Sequence, residues 1–251
     1  MQRIAGSHGP WFQVGGSLLT AAAVCEVLAP YLSQARRARI AQVIAGRTYS
    51  VTPVLEGLYD RGNISAVLRT SEALGYQSVH VIESQDAFKE ANRVTQGAEK
   101  WLDIRRWATT RACVAVLRAK GYRILATCME GARPIREFAF DEPAALFFGS
   151  ERDGISPELH ELADAHVVVP MAGFTRSFNI SVAAALSLYH MREDRIRRLG
   201  AHGDLTPEER ERLTAEYYLK SVRNAGGILR LLRGEASAGT LRAETRCTPA
   251  T

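Results

Sequence analysis

Cysteine is scarce in this chain. Its 251 residues hold only Cys25, Cys113, Cys128 and Cys247. No two form a CxxC pair, and none stands near a histidine at metal-ligand spacing along the sequence. Neither a disulfide framework nor a structural zinc site is therefore expected, and a reducing cytosol is the default setting. Lysine is equally scarce, at 4 residues against 28 arginines. Arginine suits bidentate phosphate contact, although a GC-rich genome leaves the same bias. Long apolar runs are missing too. The longest, residues 14–32, is broken by Gly15, Gly16, Ser17, Thr20 and Glu26, which excludes a bilayer span. Only Arg3 precedes it and no small-residue cleavage site follows, so it is a poor secretory signal; an Arg-bearing, acid-poor start leaves an organellar transit peptide open. The familiar cofactor fingerprints are also absent. Without GxGxxG, GxxxxGK, GxSxG or HExxH, a Rossmann dehydrogenase, a P-loop NTPase, an α/β-hydrolase and a zincin are all disfavoured.

What is present describes an ordinary soluble chain. It is 46% hydrophobic and 24% charged, which suits one domain with appendages and excludes collagen or wholesale disorder. A net charge of +5 and a pI near 9.2 lean toward a polyanionic partner.

Three zones follow from the patterning. Residues 1–47 form a glycine-rich leader, an apolar stretch at helical spacing and a basic helix, "QARRARIAQVIAGR". Its Arg36, Arg37 and Arg39 are either phosphate contacts or a solvated face. Residues 48–192 alternate strand-like runs (50–55, 78–82, 122–127, 144–148, 166–169) with helical ones (63–74, 109–120, 157–162, 179–192). That alternation predicts an α/β domain with a mostly parallel sheet covered on both faces. Residues 193–251 are charged and helical, with a capping-box start at Thr206, Pro207 and Glu209, and the chain from Arg233 onward is expected to be disordered.

Chemistry is expected at strand ends, where open α/β sheets place their sites. Three segments qualify. In residues 58–82, Asn63 opens a helix, as an N-cap or as a functional amide, and Arg69 follows six positions later. In 145–156, an apolar strand runs into Gly149, Ser150 and Glu151, with Gly154 beyond; Glu151 either meets a ligand or caps the next helix. In 167–190, a buried strand ends at Pro170, and a loop bearing Gly173, Thr175, Arg176 and Ser177 leads to Asn179 and a small-residue helix.

Together, "NISAVLRTSEALG" (63–75), "GSERDGIS" (149–156) and "VPMAGFTRSFNISVA" (169–183) resemble the three motifs, in order, of the SpoU/TrmH family of SPOUT RNA methyltransferases. Phe178 stands where leucine is commoner. The resemblance implies an S-adenosylmethionine-dependent 2′-O-ribose methyltransferase needing no metal. It implies a deep C-terminal trefoil knot and a cytoplasmic homodimer completing its sites across the interface. The flanks resemble the tRNA branch, whose target is the D-loop guanosine conventionally numbered 18. An rRNA substrate, or a non-catalytic RNA-binding protein on the same fold, are the alternatives.

The resemblance also assigns residues. Thr127, Gly149, Glu151, Gly154, Val169, Met171, Ser177 and Phe178 would receive the cofactor. Arg69 would be catalytic. A guanidinium hardly loses its proton, so Arg69 is expected to bind phosphate and orient the 2′-oxygen rather than act as the base. Asn63 would hold Arg69, Ser177 and Asn179 would contact substrate backbone or order the loop, and Glu151 would contact substrate or brace the site. Phosphate contacts are expected from Arg36, Arg37 and Arg39, and from Arg192, Arg195, Arg197 and Arg198.

Overall fold

The computed structural model describes residues 11–14, 17–58, 60–82 and 97–231. In chain order its elements are β1 (Trp11–Val14), β2 (Ser17–Thr20), α1 (Ala21–Leu28), α2 (Gln34–Ala45), β3 (Val51–Glu56), α3 (Arg61–Leu74), β4 (Ser78–Ile82), β5 (Asp103–Trp107), α4 (Thr110–Ala119), β6 (Arg123–Thr127), β7 (Arg133–Pro134), β8 (Ala144–Phe148), α5 (Pro157–Leu162), β9 (Ala165–Val168), α6 (Ile180–Leu199), α7 (Pro207–Ser221) and α8 (Ala225–Leu231). They divide into two compact units. One spans Ala45–Leu205; the other joins the chain up to Ile44 with the chain from Thr206 on. The two terminal zones thus form one unit, and the C-terminal boundary falls at 205 rather than 192. The reason is α6, which continues to Leu199 and stops only where Gly200 takes a left-handed φ of 79°.

The larger unit carries a seven-stranded sheet in the order β5-β4-β3-β8-β6-β9-β7. Every pairing in it is parallel. Parallel strands are buried on both faces, and β3, β4 and β8 are buried at every position. Alternate residues feed two layers. Val51, Leu55, Leu125, Leu146 and Phe148 point to the side holding Val67 and Leu68 of α3 and Leu188 of α6. Val54, Ile124, Ala126 and Phe147 point to the side holding Val114 and Leu117 of α4 and Leu159 of α5. Each such side chain contributes about 1.5–3 kcal/mol by leaving water. β5 was not expected: in "DIRRW" the charged residues hide a strand that pairs only with β4, at the sheet edge.

In the smaller unit, β1 and β2 form a hairpin and α1 packs on α7, burying Val24, Leu28, Leu213 and Tyr217. The capping box at Thr206 and Glu209 is present, with Pro207 in the first turn. The expected tail beyond Arg233 lies outside the described residues. No helix among the described residues is long and apolar enough to cross a membrane.

Because the sheet is parallel, β3, β6, β8 and β9 release their chains at the same edge. The connections they open, after residues 56, 127, 148 and 168, carry the segments singled out in the sequence.

Candidate active site

Helix α3 begins earlier than its apolar pattern suggests. Asp60, not Asn63, is its N-cap: Asp60 Oδ1 accepts from Gly62 N at 2.8 Å. That places Asn63 in the first turn, 7% exposed, with its amide free for other work. Its Nδ2 donates to Asp60 Oδ2 at 3.0 Å and to Glu151 Oε1 at 2.8 Å.

Asn179 approaches from the other side as the N-cap of α6. Its Oδ1 accepts from Ser181 N at 2.9 Å and from Val182 N at 3.4 Å. This capping fixes which end of the amide is oxygen and turns Nδ2 outward. Nδ2 donates to Glu151 Oε1 at 2.9 Å and to Asn63 Oδ1 at 3.3 Å. One residue from each of the three segments therefore meets in a closed triangle around a single carboxylate oxygen. Glu151 does not cap the next helix; Ser156 does, accepting from Leu159 N at 3.1 Å.

The loop carrying Glu151 is held at both ends. Ser150 and Gly154 exchange backbone hydrogen bonds at 2.8 and 3.0 Å. A Cβ on Gly149 would lie 2.2 Å from the carbonyl of Gly154, so the turn closes only over glycine. Further on, the buried Glu56 at the end of β3 accepts from Ser156 N at 2.9 Å and Ser156 Oγ at 2.7 Å, and from Thr110 Oγ1 at 2.5 Å. The motif that begins at Gly149 is thus tied to the end of β3.

A cleft of about 610 Å³ opens beside the triangle, within the range of small-molecule sites. Its walls come from the ends of β6, β8 and β9 and the start of α6, and Glu151 and Asn179 lie on its rim. All eight residues assigned to the cofactor line it: Thr127 from β6, Gly149, Glu151 and Gly154 from the loop after β8, and Val169, Met171, Ser177 and Phe178 from the loop after β9. The chemistry suits a cation with an apolar body. Val167, Ile155 and Ile180 supply carbon surface, while Glu130, Glu151 and Asp153 supply carboxylates. Ser187 lines the same space, and its buried Oγ has no hydrogen-bond partner among the described residues.

Other expected residues fall elsewhere. Arg69 is exposed on α3 and makes no hydrogen bond or ion pair among the described residues; Asn63 bonds to Asp60, Glu151 and Asn179 rather than to it. Ser177 is exposed. Arg36, Arg37 and Arg39 lie exposed on α2, with Arg36 reaching Ser221 Oγ at 3.3 Å and Arg39 reaching Gln42 Oε1 at 2.8 Å. Arg192 pairs with Glu193 at 2.6 Å. Arg195 is no phosphate contact: it is 1% exposed, paired with Asp204 at 2.5 Å and donating to the Phe140 carbonyl at 2.8 Å. Arg197 and Arg198 both pair with the buried Asp194; burial raises its carboxyl, but the Phe140 backbone N–H, with Arg198 and Arg197, outweighs that and holds it below its ordinary range.

One grouping was invisible in the sequence. Cys128, His160 and His166 bring their ligating atoms within 4.8 Å of one another. Sequence spacing concealed them, because the pairing of β9 beside β6 closes the distance. Burial lowers the His166 imidazole, with His160 adding to the effect, and burial raises the Cys128 thiol.

Comparison with known proteins agrees with this architecture. The SpoU rRNA Methylase family model matches residues 50–189, and the chain belongs to that family. It is similar to the tRNA (guanosine(18)-2′-O)-methyltransferase of Borreliella burgdorferi, at 34% identity over 79% of this chain and 91% of the relative. Among solved structures it is similar to the A. aeolicus TrmH/SpoU tRNA modifying enzyme, with a TM-score of 0.68 and 27% identity over 76% of this chain and 98% of that one. An AdoMet-bound rRNA methyltransferase from Sinorhizobium meliloti matches with a TM-score of 0.54 and 26% identity, over 61% of this chain and 59% of that one.

Proposed function

We propose that this chain transfers a methyl group from S-adenosylmethionine to a ribose 2′-oxygen of RNA, and that its substrate is guanosine 18 in the tRNA D-loop. The observation that carries the reading is the triangle of Asn63, Glu151 and Asn179 on the rim of the cleft. It supplies a fixed polar platform where the cofactor cleft meets solvent. The tRNA reading draws further support from coverage: the match extends over 91% and 98% of the tRNA-modifying relatives, against 59% of the rRNA enzyme.

Bound S-adenosylmethionine would supply an electrophilic methyl group on a sulfonium whose departure leaves a neutral thioether. No developing anion on the leaving group needs stabilising, and no metal is called for in the transfer. The chain must hold the donor, exclude water and aim the 2′-oxygen. The loops at 149–154 and 169–178 do the holding, and Glu151, Glu130 and Asp153 set a negative field for the cation. Arg69, exposed and uncommitted, is suited to a phosphate of the bound RNA. Its planar fork would fix the ribose, while the proton leaves through phosphate or water, since the guanidinium itself stays charged.

The reading includes a homodimer and a knot, in a cytoplasmic setting. Along α6, Val182, Leu186 and Tyr189 are 45%, 43% and 55% exposed at helical spacing, continuing from Phe178. Such a stripe suits burial against a second copy. The knot draws support from topology: β9 lies beyond β6, yet α6 packs on α3, so the 169–179 segment returns across the strand ends.

The test is methyl transfer from labelled S-adenosylmethionine to unfractionated tRNA and, separately, to rRNA, with the product nucleoside mapped by mass spectrometry. The expected product is 2′-O-methylguanosine at position 18, lost in Arg69→Ala. Methylation of rRNA alone would replace the substrate; no transfer to either, with RNA still bound, would replace enzyme by binding protein.

A further inference from the structure

The cluster of Cys128, His160 and His166 is not used by the methyl-transfer reading. We propose that it is a three-ligand site for Zn²⁺, with the fourth coordination position left for water on the side of the cleft.

The donor set is one thiol sulfur and two imidazole nitrogens, the nitrogen–sulfur combination that zinc prefers over hard, oxygen-seeking ions such as Mg²⁺ or Ca²⁺. The geometry is close to what the ion requires. Atoms no more than 4.8 Å apart can share a centre at most about 2.8 Å from each, while zinc takes nitrogen at about 2.0–2.1 Å and sulfur at about 2.3 Å. A contraction of about half an ångström, within the reach of side-chain rotation, completes the site.

Two further observations point to a ligand. His166 Nε2 is buried and has no hydrogen-bond partner among the described residues, a costly state for a polar nitrogen that coordination would relieve. The rings of His160 and His166 lie 4.1 Å apart, tilted by 32°, so the two imidazoles are already neighbours and need only rotate about their side-chain bonds to aim a nitrogen each at one ion. The scaffold is regular. His166 sits in β9 opposite Ala126 of β6, Cys128 N donates to Val167 O at 3.2 Å, and His160 lies on α5, two residues before that helix ends. Sites built on strands and helices hold their ligands more precisely than sites on free loops.

On binding, Cys128 gives up the hydrogen bond from Sγ to the Glu130 carbonyl, now 3.0 Å, and its thiol proton passes to solvent. The ion sheds hydration waters as the three protein atoms replace them, and no electron moves. Cys128 and His160 both line the cleft, which is why the remaining position lies on that side. The site is independent of the methyltransferase reading, since metal binding is measured without RNA or methyl donor.

The experiment takes the full chain, treated with chelator and dialysed, and titrates it with Zn²⁺ against a chromophoric competitor and with Co²⁺ as a spectroscopic stand-in. One ion per chain is expected. Bound Co²⁺ should show a thiolate-to-metal charge-transfer band together with the visible bands of a four-coordinate ion. Cys128→Ser should abolish the charge-transfer band. It should also weaken Zn²⁺ by more than about 100-fold, since even outer-shell partners are worth 10- to 100-fold. His166→Gln should weaken Zn²⁺ similarly, while Cys25→Ser should change nothing. Failure of the wild-type chain to bind Zn²⁺ at micromolar concentration would overturn the proposal. So would a cobalt spectrum that survives Cys128→Ser, which would place the ion elsewhere. Should Cys128→Ser fold poorly, His166→Gln carries the same test of location.

Discussion

Asn63 and Asn179 stand 116 positions apart and donate to the same atom, Oε1 of Glu151, at 2.8 and 2.9 Å. Neither amide is free to flip. Asn63 has Asp60 on its nitrogen side, and Asn179 has the α6 backbone on its oxygen side.

Removing the shared acceptor should separate activity from stability. Hydrogen bonds to a charged group contribute about 1.5–3 kcal/mol. Glu151→Ala is therefore expected to lower kcat/KM for tRNA methylation by about 10- to 100-fold. Because Glu151 is exposed, the melting temperature should stay close to wild type. Asn179→Ala should lower both, since it also deletes a helix cap worth about 1 kcal/mol. Parallel rate and melting measurements check the pair, and a wild-type rate in Glu151→Ala would remove the triangle from the mechanism.

Arg69 should behave as a surface residue in stability and as an essential one in rate. Arg69→Ala is expected to shift unfolding free energy by less than about 0.5 kcal/mol, while methyl transfer falls by at least about 100-fold, roughly 2.7 kcal/mol of lost transition-state stabilisation. Arg69→Lys keeps the charge but loses the fork and should recover only part of the rate. Near-normal turnover by Arg69→Lys at raised pH would contradict the need for a planar guanidinium.

Acid should destabilise the larger unit through two buried histidines. Burial pushes His80 from its ordinary 6.5 to about 3, with Arg105 and Lys120 adding to the effect. Its Nδ1 also accepts from Trp107 Nε1 at 2.9 Å, a bond that a proton there would break. Burial, with Arg195 and Arg192, takes His202 to about 4. Both folded values lie below the unfolded one, so the unfolded chain binds protons first. Stability is complete above about pH 6.5 and is lost as pH falls, toward about 4 for His202 and about 3 for His80. At pH 5 each histidine costs about 2 kcal/mol relative to pH 7. Denaturant unfolding at the two pH values should show the loss, and His202→Asn, which does not titrate, should remove about half of it.

The exposed stripe of α6 should govern assembly. Leu186→Glu puts a charge into the surface proposed to meet a second copy, where an unpaired buried charge is costly. Sedimentation is expected to show a dimer for the wild-type chain and a monomer for the variant, with methyl transfer falling alongside. A wild-type monomer with full activity would exclude the dimer.

Much of this was legible in the sequence, for a physical reason. The central strands and their helices are local patterns, and the segments at 63–75, 149–156 and 169–183 each carry their chemistry within a few residues. What escaped depended on neighbours. Whether Asn63 was a helix cap or a functional amide stayed open because the true cap, Asp60, precedes the apolar pattern. Arg195 looked like a phosphate contact because nothing local reveals that its guanidinium is buried against the Phe140 carbonyl and Asp204. The edge strand β5 was hidden by its arginines. Cys128, His160 and His166 meet only because one strand lies beside another, which spacing along the chain cannot express.

Asn179 performs two tasks with one side chain, its oxygen closing the first turn of α6 and its nitrogen gripping Glu151. The helix and the rim of the cleft are therefore mechanically geared. Any body that leans on the exposed face of α6 and rotates its first turn also turns the Asn179 amide, and with it the carboxylate that two of the three motifs share. Assembly and alignment of the site become one movement, and a helix frayed at its start is at the same time a site out of register.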